Sequence, residues 1–118
     1  MLKFQEENTY EERLALYNKV RIKCPNRYFV IVEPATPLDP SISKTKYVIP
    51  YNMPMSSVIN EIRPLIQIKS HHALAFYVGP KNNEHLLSLA LSIDYAYTLY
   101  HENDGFLYIT YTRESTFG

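Results

Sequence analysis

The stretch that most constrains the fold is the run 106–111 (FLYITY), near the C-terminus. Successive side chains of a strand point to opposite sides of a sheet, and here both sides carry apolar groups. The run therefore predicts a strand that is buried on both faces and lies in the centre of its sheet. Asp104-Gly105, just before it, indicates a turn, because aspartate can bond to the backbone two residues on and glycine accepts positive φ.

The apolar pattern stops after Tyr111, and mostly polar residues lead to Gly118. Residues 112–118 are predicted to form a flexible tail that presents the Gly118 carboxylate clear of the fold. A terminal glycine carries little weight by itself. A central strand that ends in a short polar tail with a bare glycine carboxylate is nevertheless an unusual arrangement.

Composition sets the outer limits. A chain of 118 residues is predicted to form one domain. The formal net charge is zero, so no bulk electrostatic argument favours nucleic acid or an anionic membrane as a partner. The single Cys24 excludes an internal disulfide and suits a reducing compartment. No apolar run is long enough to span a bilayer and no signal-peptide pattern is present, so any membrane contact must be acquired.

The first half of the chain predicts a helix and two strands. Thr9 and Glu12 form a capping box for a helix that runs to about Lys23, and residues 3–8 form a turn of helix at most. The apolar segments 28–32 and 46–50 are predicted to pair as strands. The connection between them is too rich in proline to pair. Pro50 ends the second strand or places it at a sheet edge, where it can accept a peptide.

The second half predicts a helix, a strand, a helix and the central strand. Apolar residues recur at helical spacing from Met55 to Ile66, and Pro64 is expected to kink or end that helix near Arg63. Residues 73–78 are predicted to form a strand. Asn82 or Asn83 is expected to cap a helix with an apolar stripe formed by Leu86, Ala90, Ile93, Tyr97 and Tyr100. The order of elements is that of an α+β β-grasp fold.

Catalytic, metal-binding and RNA-binding patterns are weak. Cys24 follows a helix C-terminus, the wrong end for lowering a thiol pKa, and has no His-plus-Asn/Asp pattern around it. The four histidines lack zinc-ligand spacing, and there is no Gly-rich phosphate loop. The many aromatic residues suit a core or pocket better than an RNA-binding sheet. No cofactor, metal or nucleic acid is expected.

Several motifs fall at the spacing of a known family: 10–13 (YEER), 19–21 (KVR), 25–27 (PNR), 30–33 (VIVE), 46–50 (KYVIP), 104–111 (DGFLYITY), Glu114 and Phe117-Gly118. Together they make the chain resemble the GABARAP-like autophagy modifiers, ubiquitin-like proteins that become attached to phosphatidylethanolamine. The resemblance implies a ubiquitin-like β-grasp with a four-stranded mixed sheet and helices packed on it. It also implies one domain over 1–118, with a helical extension (1–26), a core (27–111) and a tail (112–118).

The resemblance implies a first activity at the C-terminus. Gly118, with Phe117 in the tail, would be activated, passed as a thioester between activating and conjugating enzymes, and joined to phosphatidylethanolamine. Glycine suits a narrow enzyme channel because it has no Cβ. A processing and delipidating cysteine protease is a further implied partner. The chain would be a substrate and carrier, not an enzyme, located in the cytoplasm and, when lipidated, on the autophagosomal membrane.

The second implied activity is binding of adaptor and receptor peptides of the form aromatic-x-x-aliphatic, added as a strand beside the second strand. The aromatic pocket would be lined by Val20, Phe29, Ile31, Lys46, Val48 and Phe106. The aliphatic pocket would be lined by Tyr47, Ile49, Pro50, Met53, Val58, Ile62 and Leu65. An acidic flank of the peptide would meet Arg27, Lys44 and Lys46. Plain core packing remains the alternative role for each apolar residue.

The chain also departs from the family pattern. Phe29 replaces a proline at the mouth of the first pocket. Leu16 stands where the family usually has an acidic residue, and Pro64-Leu65 replaces a basic pair. Thr45 interrupts a basic run, and the segment between Val78 and Tyr97 is longer than usual. These departures bear on partner preference. The alternative function is a β-grasp module that binds peptides but is never conjugated.

Overall fold

The computed structural model describes residues 2–69, 72–80 and 82–114. Its helices are α1 (Lys3–Glu7), α2 (Tyr10–Lys23), α3 (Met55–Ile62) and α4 (Ile93–Tyr100), with one 3₁₀ turn at Arg63–Leu65. Its strands are β1 (Arg27–Pro34), β2 (Lys46–Pro50), β3 (Leu74–Val78), β4 (His85–Leu86) and β5 (Leu107–Arg113).

The strands form one mixed sheet in the order β2-β1-β5-β3-β4. β1 and β5 are parallel, and the other pairs are antiparallel. β5 lies between β1 and β3, so the central strand expected from the two-faced apolar pattern is confirmed. The sheet has five strands rather than the expected four, because the two-residue β4 adds to the β3 edge. The ubiquitin-like β-grasp architecture expected from the sequence is otherwise as observed.

Apolar side chains pack on both faces of the sheet. One face meets α3 and α4 and carries the larger cluster, the main core, which includes Val30, Val32, Met55, Val58, Ile62, Ile93, Leu107 and Ile109. The other face meets α1 and α2 and carries a smaller group, the aromatic cluster, formed by Phe4, Phe29, Ile31, Phe106 and Tyr108. The two faces of β5 thus belong to different clusters.

Local signals in the N-terminal half behave as expected. The Thr9 hydroxyl accepts from the Glu12 N–H at 3.1 Å, and the Glu12 carboxylate accepts from the Thr9 N–H at 2.8 Å. The capping box at the start of α2 is therefore confirmed. The expected turn of helix before it is the five-residue α1.

The turn before β5 is also confirmed. The Asp104 carboxylate accepts from the Phe106 N–H at 3.0 Å, two residues on. Gly105 has φ +91°, and a Cβ there would lie 2.4 Å from the ring of Tyr17. Glycine is therefore required at this position for two reasons: its positive φ and the close approach of α2.

Pro64 ends the helix as expected. α3 stops at Ile62, and residues 63–65 form a 3₁₀ turn. Proline has no N–H to donate into a continuing α-helix, and its ring clashes with the carbonyl four residues earlier. The turn leaves Leu65 half-buried against the main core.

The helix predicted before β5 is present, but its predicted start and its cap at Asn82 or Asn83 are wrong. Residues 85–86 pair with β3 instead. α4 begins only at Ile93, and its N-cap is Ser92, whose hydroxyl accepts from the Tyr95 N–H at 3.2 Å. The helical spacing of Leu86 and Ala90 is coincidental, since both are exposed. A pairing between β3 and β4, continued by the Leu87 N–H donating to the Phe76 carbonyl at 2.8 Å, overrides it.

Candidate peptide-binding edge and C-terminal strand

β2 is an edge strand, and its outer backbone groups can be identified from the ladder. The Val32 N–H donates to the Thr45 carbonyl at 2.8 Å, and the Tyr51 N–H donates to the Asn26 carbonyl at 3.1 Å. Backbone groups along an antiparallel strand point alternately toward and away from the partner. The N–H and C=O groups of Lys46 and Val48 therefore point away from β1. Among the described strands, none lies on that side of β2.

The two expected pockets lie on opposite faces of the sheet, one on each side of this edge. Val48 is the register partner of Phe29, and Lys46 is the partner of Ile31, on the face of the aromatic cluster. Tyr47 and Ile49 alternate with them and belong to the main core. A strand added at this edge would meet both groups of residues with alternate side chains.

The floor of the first pocket is filled from within the chain. Phe29, Ile31 and Phe106 are only 5%, 0% and 0% exposed. The ring centroid of Phe106 lies 4.6 Å from that of Phe29 and 5.3 Å from that of Phe4 in α1. These residues are therefore part of the core. The parts open to a partner are half-buried Val20 and Val48 and exposed Lys46.

Phe4 is the site residue that sequence reasoning missed. It is 6% exposed, and the Lys46 Nζ lies 5.7 Å from its ring centroid, beside the outer edge of β2. Its segment is polar and only five residues long, too short for helical periodicity to reveal a buried face. The one available signal is a lone aromatic among polar residues.

The residues expected to line the second, aliphatic pocket likewise divide into buried and accessible members. Tyr47, Ile49, Val58 and Ile62 are buried, whereas Met53 and Leu65 are half-buried against the main core. Pro50 is also half-buried, but it alternates with Ile49 along β2 and so lies on the face of Val48. The Tyr47 hydroxyl donates to the Lys44 carbonyl at 2.6 Å. Burial raises the pKa of Tyr47 to about 12, so its hydroxyl stays protonated and keeps this bond near neutral pH.

The three basic residues do not converge. Arg27 is the register partner of Pro50, at one end of β2, while Lys44 and Lys46 lie at the other end. Four residue steps along a strand separate Pro50 from Lys46, about 13 Å. Lys44 and Lys46 lie at the same end of β2 but contact different faces of the sheet, since the Lys46 Nζ lies over the ring of Phe4 in the aromatic cluster. Arg27 lies apart from both. The Lys44 Nζ lies 5.1 Å from the Tyr47 ring centroid.

The end of β5 carries a second arrangement of polar groups. Thr112 and Arg113 belong to the strand, although the sequence assigns them to the tail. The Asp39 carboxylate accepts from the Thr112 hydroxyl at 2.7 Å and from the Arg113 N–H at 3.1 Å. Burial alone raises the pKa of Asp39, but hydrogen bonds from Thr112, Thr36 and Arg113 outweigh it and hold that pKa below its usual value. The predicted conjugation residues Phe117 and Gly118 lie outside the described residues.

Two classes of feature are not found in the described part of the chain. Within residues 2–69, 72–80 and 82–114, no helix has the length and hydropathy needed to cross a membrane. The same residues contain no cluster of three or more His, Cys, Asp or Glu side chains arranged to hold a metal ion.

Comparison with known proteins decides the family. The family model described as "Autophagy protein Atg8 ubiquitin like" matches residues 12–118. The chain belongs to the Atg8 family. It is 34% identical to autophagy-related protein 8 of Mycosarcoma maydis, covering 98% of this chain and 95% of that one. It is also 34% identical to autophagy-related protein 8e of Arabidopsis thaliana, covering 98% and 92%.

Solved Atg8 structures share the fold. The crystal structure of Trypanosoma brucei ATG8 matches with a TM-score of 0.84 at 27% identity, covering 100% of this chain and 99% of that one. Plasmodium falciparum Atg8 in complex with a P. falciparum Atg3 peptide matches with a TM-score of 0.82 at 28% identity, covering 98% of both. The family resemblance found in the sequence motifs is thereby confirmed. This Atg8-family chain is an autophagy-related ubiquitin-like protein.

Proposed function

We propose that this Atg8-family chain is conjugated through Gly118 to phosphatidylethanolamine and recruits aromatic-x-x-aliphatic peptides at the outer edge of β2. One observation carries the peptide-binding part. The backbone groups of Lys46 and Val48 point outward, between accessible apolar side chains on both faces of the sheet. An edge of this kind can add a peptide strand through its main chain, while side-chain pockets select the sequence.

A solved structure of a relative supports the proposal that this fold binds peptides. Plasmodium falciparum Atg8 forms a complex with a peptide of its Atg3. By analogy, a peptide of this chain's own conjugating enzyme is an expected partner, besides adaptors and autophagy receptors. Val20 and Val48 would contact the aromatic anchor, and Met53 and Leu65 the aliphatic one.

The filled first pocket bears on the choice of anchor. Phe4 and Phe29 pack against Phe106 and would restrict the space open to an anchor between Val20 and Val48. We therefore expect Phe or Tyr to be preferred over Trp. Acidic residues beside the anchor would meet Lys44 and Lys46, mainly by raising the association rate, with an effect that falls as salt increases.

The test of the edge is a titration of one acidic-flanked peptide in Trp, Phe and Tyr versions. Val48→Ala keeps the backbone groups and removes side-chain packing, so we expect about a fivefold loss of affinity. Lys46→Ala should weaken binding most at low salt. Ile22→Ala is the control, since Ile22 is 81% exposed on α2. Binding that ignores both substitutions would contradict the site, whereas a preference for Trp would contradict only the argument from Phe29.

Conjugation is tested separately. The full chain is incubated with its activating and conjugating enzymes, ATP and liposomes containing phosphatidylethanolamine, and the adduct is identified by mass. Gly118 deletion should abolish the lipid adduct and Cys24→Ser should preserve it, because the reacting group is the terminal carboxylate. An adduct that survives deletion of Gly118 would refute conjugation there. A chain that binds the peptide but is never lipidated would instead be an unconjugated β-grasp module.

The remaining partners and places follow from this proposal. The chain acts as substrate and carrier, so its cascade supplies the activating and conjugating enzymes and a processing and delipidating cysteine protease. Its unconjugated form would be cytoplasmic, and its lipidated form would lie on the autophagosomal membrane. The bilayer contact would come from the covalent lipid.

A further inference from the structure

β5 runs past the end of its neighbour β1. The last register pair between them is Pro34 with Tyr111, and the Ala35 N–H still donates to the Tyr111 carbonyl at 2.8 Å. In a regular parallel ladder the next bond would run from the Arg113 N–H back to β1. β1 has ended there, so the Arg113 N–H requires another acceptor.

Asp39 supplies that acceptor from the connection between β1 and β2. Its Oδ1 accepts from the Arg113 N–H at 3.1 Å and the Thr112 hydroxyl at 2.7 Å. Its Oδ2 accepts from the Thr36 N–H at 3.0 Å and the Thr36 hydroxyl at 2.8 Å. One carboxylate therefore accepts four charge-assisted hydrogen bonds: two hold the turn at residues 36–39, and two tie that turn to Thr112 and Arg113 at the end of β5.

The opposite side of the strand end is held by β3. Arg113 is the register partner of Leu74, and the Glu114 N–H donates to the Ala73 carbonyl at 3.0 Å. With Asp39 in place, the end of β5 is bound on both sides. Without it, only the β3 side remains.

We propose that Asp39 is a positioning residue for conjugation: by bonding Thr112 and Arg113 it fixes the point and direction from which the chain leaves toward Gly118. This inference rests on the proposed conjugation of Gly118. Gly118 lies five residues beyond Arg113, so a fully extended chain spans about 17 Å. With so short a reach, the activating enzyme must bind the ubiquitin-like body and the tail together. A fixed starting point reduces the conformational entropy lost when the carboxylate is placed.

Three variants separate the bonds, and a fourth serves as the control. Asp39→Ala removes all the acceptors, and Asp39→Asn keeps one side-chain carbonyl for Thr112 and Arg113. Thr112→Val removes only the hydroxyl that Asp39 binds. Leu38→Ala is the matched control, because Leu38 is the neighbouring residue, 92% exposed.

The first measurement is amide hydrogen exchange in the full chain. Exchange at Arg113 should be about tenfold faster in Asp39→Ala, intermediate in Asp39→Asn and unchanged in Leu38→Ala, because local opening no longer breaks a bond to the carboxylate. Unchanged exchange at Arg113 in Asp39→Ala would overturn the inference.

The second measurement is the rate of thioester formation with the activating enzyme and ATP, as a function of chain concentration. Asp39→Ala should raise KM about five- to tenfold with kcat within about twofold, since the carboxylate chemistry is unaltered. Asp39→Asn should recover part of the loss. Peptide affinity at the β2 edge should not change, which excludes a general loss of folded protein.

The outcomes distinguish this inference from the function on which it rests. A wild-type chain that forms no thioester would contradict conjugation itself and the role of Asp39 with it. A wild-type chain that reacts, with the same KM in Asp39→Ala, would overturn only the positioning role.

Discussion

The two faces of the sheet hold their helices by different means. On the main-core face, α3 places Met55, Val58 and Ile62 in full burial against the sheet. On the other face, α2 has no fully buried residue. It is attached by half-buried side chains at the aromatic cluster and by the ion pair between the Arg13 Nε and an Asp104 oxygen, 2.8 Å apart.

The short helix α1 buries a single side chain, Phe4, and is otherwise held by polar contacts. The two oxygens of buried Glu33 accept from the Lys3 and Phe4 N–H groups at 2.8 and 3.0 Å. Arg13 also donates to the Asn8 carbonyl at 2.7 Å. Apolar burial is non-directional, whereas these bonds require fixed geometry. We infer that the main-core face sets global stability and that α1 can detach locally.

The largest expected effect is on the main-core face. Met55→Ala should lower the free energy of unfolding by about 3 kcal/mol, because it removes buried contacts and leaves a cavity. Urea denaturation measures the change. Ile22→Ala, at an exposed position of α2, is the control and should be neutral within about 0.5 kcal/mol. A loss below about 1 kcal/mol in Met55→Ala would contradict the assignment of global stability to this face.

Arg13→Ala should come next, at about 2 kcal/mol, the loss of a hydrogen bond to a charged group that keeps other donors. It leaves the Asp104 carboxylate, 2% exposed, without its cation, although the Phe106 N–H and the Tyr108 hydroxyl still donate to it. Arg13→Lys should recover only part of the loss, since one ammonium cannot reproduce the separate bonds of a guanidinium. Asp104→Asn in the Arg13→Ala background should restore stability relative to Arg13→Ala alone. If Asp104→Asn did not restore stability, the unpaired charge of Asp104 would not be the cause of the loss in Arg13→Ala.

Glu33→Gln tests local detachment. The amide keeps one acceptor but turns an NH₂ group toward a backbone N–H, so α1 should lose about 1.5 kcal/mol of local stability. Amide exchange within α1 should accelerate, while the urea midpoint of the whole chain shifts much less. If the two changes were equal, α1 would unfold only with the rest of the molecule, and the contrast between the faces would be wrong.

Sequence reasoning succeeded where the signal was local. The two-faced pattern of β5, the capping box at Thr9, the break at Pro64 and the turn at Asp104-Gly105 each lie within a few residues. It failed where distant segments decide. β4 exists because residues 85–86 meet β3, and a helical spacing of apolar residues misled the prediction there.

The candidate site shows the same division. The family motifs located the β2 edge and the residues around it, and the edge is confirmed by the sheet order. The degree of burial of these residues was not predictable from the sequence. Ile31 and Phe106 are completely buried, and Phe4, near the N-terminus, packs against the same cluster. The contact of Glu33 with α1 joins residues 29 and 30 positions apart, and no local pattern signals it.

The smallest expected effect is at the start of α2. Thr9→Ala removes the hydroxyl that accepts from the Glu12 N–H, and Thr9→Ser retains it. We expect about 1 kcal/mol or less for alanine and almost nothing for serine. Because α2 attaches mainly through Arg13 and the aromatic cluster, the loss should appear as faster amide exchange in the first turn of α2, with main-core amides unaffected. A uniform acceleration in both regions would mean that the two faces of the sheet open together, and the distinction drawn between them would fail.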